Sequence, residues 1–308
     1  LLTALLKSPN YTQDTLNKLK TMQTGSLKRK ENDFDYVANN QLKSVLFKGT
    51  TLENSAAGTI ESISKIELKD IENFISQTVC LENLIIVAGG DFELKEFEKL
   101  VKPLLETLNV GKKAQLEEVN FISKKEEKVL IKDTQQAYIY FGSSFNINSK
   151  DEENYKAKVA SFILGGSGFG SRLMEEIRVK RGLAYSAYGS ISINKSHSYF
   201  NGYLQTKNET ADEAKKLVGE IIEDFVKNGV TNDELSAAKN FLTGSEPLRS
   251  ETLSQRLNRA FTLYYRGLEP NYSQKELEKI QNLELTDLNN YIKSHNEINN
   301  LTFSIVRK

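Results

Sequence analysis

Residues 165–186 read GGSGFGSRLMEEIRVKRGLAYS, and this stretch carries the pattern that decides the fold. A glycine-rich run precedes a helical segment, which we expect to end at Gly182, the residue type that most often ends a helix. A strand is expected to start at Tyr185. Arg178 on the last helical turn and Tyr185 then converge, and together they can hold or polarise a carbonyl oxygen. The spacing alone fits equally well an arginine on a helix surface beside a strand tyrosine.

The glycine run does not fit a phosphate-binding loop. Gly165 and Gly170 have the spacing of that motif, but Ser171 and Arg172 follow where the motif needs a lysine and a hydroxyl residue. The run also follows a helical segment, whereas phosphate loops and dinucleotide-binding loops follow a strand. Two interpretations remain open. The run is either a flexible break in a helix or a break that lets the backbone approach an extended ligand.

Outward from this stretch, the second half of the chain predicts an α+β fold. Alternating and aromatic-rich segments predict strands at residues 128–131, 137–145, 184–194, 198–206 and 301–306. Helical periodicity predicts a long helical block between residues 211 and 295. Because the strands come as hairpins rather than in strict βαβ alternation, we expect an antiparallel sheet covered by helices.

The first half has a similar order of elements, which predicts a second domain of related fold. Helices are predicted at residues 1–7, 12–22, 36–47, 60–64, 68–79 and 94–108. The apolar run Leu84–Ala88 predicts a short strand. The polar segment Gly111–Asn120 interrupts the periodicity and predicts a linker. We therefore expect the remainder of a first domain at residues 1–112, a linker at 113–120 and a second domain at 121–308.

Composition excludes several classes of function. The 308 residues include 41 Lys plus Arg and 41 Asp plus Glu, so the formal net charge is zero. A neutral chain gives no reason to expect binding to nucleic acid or to an anionic membrane. Cys80 is a single cysteine, which excludes an intrachain disulfide and a cysteine-based zinc finger. His197 and His295 have no further metal ligand at suitable spacing, so we expect both to be structural or solvated.

The N-terminal residues bear on the origin and location of the chain. Leu1–Leu6 are apolar but lack the basic flank and cleavage site of a signal peptide. They look like the middle of an amphipathic helix and have no initiator methionine, so we expect a fragment of a longer protein. The longest apolar run is far below the roughly 18 residues of a membrane span. We expect a cytoplasmic protein without membrane contact, unless a signal precedes Leu1.

Residues 165–190 closely resemble the second-domain signature of the pitrilysin and mitochondrial-processing-peptidase family of inverted zinc metallopeptidases. The glycine loop, the Ser-Arg-Leu at 171–173, the arginine at 178 and the Gly-Leu-Ala-Tyr at 182–185 occur in register. Residues 8–20, 46–52, 58–74 and 83–92 resemble the end of the family's first domain. The resemblance covers nearly the whole chain. It implies two related α+β domains, each an antiparallel sheet packed with helices, with the first truncated.

The resemblance also implies a composite active site. In this family one domain or subunit holds zinc through H-x-x-E-H and a distant glutamate, and the glutamate inside the motif is the general base. The other domain or subunit supplies an arginine and a tyrosine that hold the substrate carbonyl. By resemblance, these are Arg178 and Tyr185. The substrate-binding loop implied in the same way comprises Gly165, Gly166, Ser167, Gly168 and Ser171.

Two departures from the family concern the metal. H-x-x-E-H is absent, and by family spacing it would lie upstream of Leu1. The distant glutamate aligns with Ser26, a poor zinc ligand compared with a carboxylate. Glu31, the nearest carboxylate, lies more than a helical turn away. The resemblance therefore implies no cofactor in this chain, with zinc expected in a homologous partner subunit of a heterodimer.

Three functions remain open at this point. In the first, which we adopt, the chain is a bacterial-type processing-peptidase subunit. It binds extended peptides and supplies the Arg178–Tyr185 pair to a zinc-bearing partner. In the second, the chain is the C-terminal part of a complete zinc metalloendopeptidase. In the third, it is a catalytically inactive scaffold subunit.

Overall fold

The structure, a computed structural model, describes residues 2–308 and divides the chain into two compact units. The first unit comprises Leu1–Lys30, Ala56–Leu116 and Arg249–Thr262, and the second comprises Glu31–Ser55, Glu117–Leu248 and Leu263–Lys308. The chain therefore crosses between the units several times, and one crossing falls inside Gly111–Asn120. The sequence-based boundaries at 1–112, 113–120 and 121–308 stay a prediction.

The described residues form blocks of helices and pairs of consecutive strands, which confirms the predicted α+β class. The helices are α1 (Leu2–Lys7), α2 (Gln13–Lys30), α3 (Phe34–Leu46), α4 (Ile60–Lys65), α5 (Leu68–Thr78), α6 (Leu94–Leu105), α7 (Asn154–Ser161), α8 (Arg172–Met174), α9 (Ala211–Asn228), α10 (Asn232–Gly244), α11 (Leu253–Arg266), α12 (Tyr272–Gln281) and α13 (Leu285–Ser294). The strands are β1 (Glu126–Ile131), β2 (Ala137–Ser144), β3 (Ala184–Ile193), β4 (Ser198–Thr206) and β5 (Thr302–Arg307). Within residues 2–308, every helix is too short or too polar to cross a bilayer.

The first unit is helical, and the strand predicted at Leu84–Ala88 is wrong. Strand formation requires a neighbour that bonds the backbone N–H and C=O groups. In the described part of this unit no second strand is present, so the apolar run stays an unpaired extended segment. The helix predictions at 60–64 and 68–79 are confirmed by α4 and α5, each of which begins with a capping box.

The described strands form one sheet in the second unit, in the order β1-β5-β2-β4-β3. Each begins and ends within two residues of its predicted position. The pairs β2–β5, β2–β4 and β3–β4 are antiparallel, as predicted, but β1 runs parallel to β5. The reason is topological. Because β1 and β2 run in opposite directions and β5 enters between them, β5 must be parallel to one of the two.

Different helices pack against the two faces of the sheet. On one face Ile139, Phe141, Phe200 and Leu204 are fully buried in the main core, together with side chains of α7, α9 and α13. On the other face α3 packs over β2 and β5. Side chains that β3 and β4 project on this second face lie beyond α3 and are only partly covered, as with Tyr188, which is 37% exposed.

Candidate functional site

The glycine run forms a π-helical turn, Phe162–Gly166, that continues α7 and packs against β3. Gly165 is buried there against the backbone of Gly189, and a Cβ atom at position 165 would overlap the Gly189 nitrogen. The φ angles of Gly168 and Gly170 are +69° and +91°, values that favour glycine. The first glycine of the run is therefore fixed by packing, whereas Gly166 and Gly170 lie at the surface.

Ser171 closes this loop and starts the next helix. Its buried hydroxyl donates a hydrogen bond of 2.7 Å to the carbonyl oxygen of Gly168 and accepts one from the backbone N–H of Met174. This is an N-cap, which satisfies an otherwise unpaired donor at the helix start. Ser171 thus holds the backbone of the predicted substrate-binding loop at Gly168. Ser167, another predicted loop residue, is half-buried.

We expect Gly165→Ala to lower the free energy of unfolding by about 1–3 kcal/mol, the usual cost of forcing an extra carbon into packed structure. Gly219→Ala is the matched control. Gly219 lies inside α9, where an added methyl group would have no atom within 4 Å, and this change should stabilise the protein by about 0.5–1 kcal/mol. Urea unfolding followed by circular dichroism measures both. Equal stability of Gly165→Ala and the wild type would contradict the close contact with β3.

Arg178 and Tyr185 lie together, and Phe169 of the glycine loop also contacts the guanidinium. The Cζ atom of Arg178 is 4.3 Å from the centre of the Tyr185 ring and 4.5 Å from that of Phe169. Gly182 makes this possible, since its φ of +62° lets the chain turn back at the end of the π-helical turn Glu175–Val179. The guanidinium thus makes cation–π contacts with two rings.

Lys180 and Arg181 are paired with Glu176, whereas Arg178 has no ion pair among residues 2–308. Lys180 and Arg181 both donate hydrogen bonds of 2.6 Å to the carboxylate of Glu176. The bond from Lys180, and then that from Arg181, lower the pKa of Glu176. Within residues 2–308, neither the Arg178 guanidinium nor the Tyr185 hydroxyl has a hydrogen-bond partner, and Tyr185 is 81% exposed. The site therefore presents N–H and O–H donors that are free to bind an added acceptor.

Arg172, six residues before Arg178, has a structural role. It donates two hydrogen bonds to the carboxylate of Glu234, at 2.6 and 2.8 Å, one to Asp224 and one to the carbonyl oxygen of Gly229. Its guanidinium also lies 5.3 Å from the ring centre of Phe225. Burial would raise the pKa of Glu234, but the bonds from Arg172 and Thr231 lower it below its ordinary value. Arg172 thus joins α8 to α9 and α10.

The described residues do not fit a zinc ion. No group of three or more His, Cys, Asp or Glu side chains in residues 2–308 is arranged to hold a metal. His197 contacts Ser196 and Asn194, and Nδ1 of His295 lies 2.8 Å from the carboxylate of Glu297. Both histidines are thus engaged in local packing. Ser26, which aligns with the family's distant ligand, lies in α2 of the first unit.

One residue beside the pair was not singled out in the sequence analysis. Phe169 belongs to the glycine run, is 68% exposed and has its ring centre 4.5 Å from the Arg178 guanidinium. An aromatic residue among glycines and serines was the one sequence signal that could have drawn attention to it. Its contact with Arg178 could not be predicted, since it depends on how the loop folds over the helix end.

Comparison with known proteins places these features in a family. Residues 65–242 match the family described as the peptidase M16 inactive domain. The chain is 47% identical over 302 residues to a Helicobacter pylori protein named "Non-peptidase homolog YmxG", a match that covers 98% of this chain and 70% of that protein. It is 25% identical over 223 residues to an uncharacterized zinc protease of Streptomyces coelicolor, covering 70% of this chain and 48%, about half, of that protein.

The fold agrees with a solved structure. A crystal structure of a peptidase M16 inactive domain from Pseudomonas fluorescens superposes with a TM-score of 0.91 at 22% identity. The match covers 99% of this chain and 73% of that chain. At this identity the likeness shows the shared fold.

Proposed function

Because this chain belongs to the peptidase M16 family, through that family's inactive domain, we propose that it is the non-metal subunit of a two-part peptidase. In this role it binds an extended peptide and holds the scissile carbonyl with Arg178 and Tyr185. The observation that carries the proposal is the Arg178–Tyr185 contact at 4.3 Å, with the N–H and O–H donors of both side chains unpaired in the described residues.

The chemistry of the pair follows from where charge develops. As a water attacks a peptide carbonyl, negative charge builds on its oxygen, and donors already aimed at that oxygen stabilise the transition state. The guanidinium of Arg178 contacts the rings of both Phe169 and Tyr185, and these contacts favour the position from which it would donate to the carbonyl oxygen. No step through a metal is assigned to this chain, because its described residues do not fit one. A zinc-bearing partner is part of the proposal.

The position of the pair supports binding of an extended peptide. Tyr185 lies at the start of β3, which is the last strand of the sheet. Backbone groups on such an edge can bond an added strand. Farther along, the hydroxyl of Ser161 accepts a hydrogen bond of 2.9 Å from the N–H of Ile191. An added strand would therefore pair with the part of β3 that precedes Ile191, which includes Tyr185.

Reconstitution tests this function against its two rivals. The chain is titrated into a fixed amount of a zinc-bearing M16 subunit from the same organism, and turnover of a fluorogenic extended peptide is measured. We expect no turnover by the chain alone and a saturating rise on mixing. A complex that forms without any rise would favour the scaffold. Turnover by the full-length chain alone would favour a complete peptidase.

A further inference from the structure

A pocket of about 460 Å³ opens beside the site, on the face of the sheet that α3 only partly covers. It is bounded by the C-terminal half of α3, by the second face of β2, β3 and β4, and by Gly165 and Gly166 of the glycine loop. All of these elements belong to the second unit. Such a volume lies in the range of about 300–1,000 Å³ typical of small-ligand sites.

Tyrosine rings form the walls of this pocket. The rings of Tyr140 and Tyr203 stack with centres 5.5 Å apart, and the rings of Tyr203 and Tyr188 follow at 5.4 Å. The stack is fixed at its far end, because the Tyr140 hydroxyl and the Gln205 amide both donate to the carboxylate of Asp35. Rings held in this way offer a rigid apolar surface. The carboxylate of Asp35 already accepts hydrogen bonds from Tyr140 and Gln205.

Lys43 of α3 supplies the charge of the pocket. Among the described residues that line it, Lys43 alone is charged, and in residues 2–308 its half-buried ammonium has no ion pair or hydrogen bond. Burial lowers the pKa of nearby His197, and the positive charge of Lys43 lowers it further. Unpaired charges in partly buried positions are costly, so this ammonium favours an anionic partner.

Amide donors complete the lining. The hydroxyl of Ser190 donates to Oδ1 of Asn201 at 3.1 Å, which leaves the Asn201 amide nitrogen available as a donor. Asn39 on α3 lines the pocket as well, and its side chain has no hydrogen bond to another described residue. An ammonium and two amides around one volume match the oxygen atoms of a carboxylate.

We propose that this pocket binds a carboxylate of the peptide held by Arg178 and Tyr185, with Lys43 as its cation and the tyrosine rings against the apolar part of the same residue. The inference rests on the proposed function, since it assigns a residue preference to that peptide. Tyr185 and Tyr188 are three residues apart on β3, but a β-bulge between Ala184 and Ala187 sets three steps of β3 opposite two steps of β4. The two tyrosines are therefore about two regular strand positions apart, about 7 Å, and the carboxylate belongs about two residues from the scissile bond.

Fluorescence anisotropy with the full chain tests the pocket separately from turnover. The probes are labelled extended decapeptides amidated at the C-terminus, identical except for Glu, Gln or Lys at one position. A fourth probe has Gln at that position and a free C-terminal carboxylate. The variants are Lys43→Met, Lys43→Arg and, as matched control, Lys48→Met, which removes an exposed lysine just after α3 that lies outside the pocket.

We expect the Glu probe to bind about tenfold more tightly than the Gln probe, the size of one charge-assisted hydrogen bond. Lys43→Met should abolish this difference, whereas Lys43→Arg and Lys48→Met should preserve it. Tight binding of the free-carboxylate probe identifies the peptide C-terminus as the source, and tight binding of the Glu probe alone identifies a side chain. Equal binding of the Glu, Gln and free-carboxylate probes, or preference for Lys, overturns the pocket but not the proposed function. Failure of every probe to bind contradicts both.

Discussion

Arg172→Ala should lower the free energy of unfolding by about 3 kcal/mol, the largest stability effect we expect in this chain. The side chain of Arg172 is only 16% exposed, and it holds Glu234, Asp224 and the Gly229 carbonyl. Removal of the arginine leaves the partly buried carboxylate of Glu234 without its cation. Urea unfolding of wild type and variant, followed by circular dichroism, gives the difference.

The pH dependence of this effect has a definite sign. The pKa of Glu234 is lowered on folding from its ordinary value of 4.5. The contribution of Glu234 to the free energy of unfolding is therefore fully present above about pH 4.5. It is lost as the pH falls through the pKa that Glu234 has in the folded protein. Arg181→Ala is the control, because Arg181 pairs at the exposed surface with Glu176 and should cost at most about 1 kcal/mol. Similar costs for Arg172→Ala and Arg181→Ala would contradict a structural network at Arg172.

Arg178→Met should reduce peptide turnover by the reconstituted complex by a factor of about 10²–10³. Methionine keeps an apolar side chain beside the Phe169 and Tyr185 rings but removes every N–H donor. Stability and assembly should stay near wild type, because the Arg178 side chain makes no hydrogen bond to another described residue. Unchanged stability and assembly would place the loss in the handling of the peptide rather than in folding.

Arg181→Met is the matched control for that experiment. Arg181 lies three residues farther on, and its charge is paired with Glu176. Its replacement should leave turnover within about twofold of wild type, since exposed pairs are worth little. A loss shared by both variants would indicate a general effect of positive charge on peptide binding rather than a specific donor at Arg178.

Much of the second unit was predictable because its signals are local. Alternating aromatic and polar residues along Ala184–Ile193 and Ser198–Thr206 predicted both strands, and Gly182 predicted the turn that joins Arg178 to Tyr185. A stop in a helix and the start of a strand are encoded within a few residues. The strand predicted at Leu84–Ala88 was wrong, because a strand also needs a neighbouring strand to pair with, and the segment itself does not encode one.

What the sequence did not predict depends on contacts between distant segments. The parallel pairing of β1 with β5 follows from where the closing strand enters the sheet. The position of Lys43 beside Tyr188 and Tyr203 depends on how α3 packs on that sheet. Neither periodicity nor spacing specifies which helix covers which half of a face. The carboxylate pocket and the contact of Phe169 with Arg178 therefore required the three-dimensional structure.

The most direct test of the shared active site removes one oxygen atom. Tyr185→Phe keeps the ring beside Arg178 and deletes only the exposed hydroxyl, so folding and assembly should be unchanged. Turnover of the peptide is measured in the reconstituted complex, with complex formation quantified in the same samples. We predict a loss of about 10²–10³ in turnover, the usual cost of removing one donor to a developing oxyanion. Wild-type turnover by a fully assembled Tyr185→Phe complex would contradict the shared active site and leave Tyr185 as a structural residue of β3.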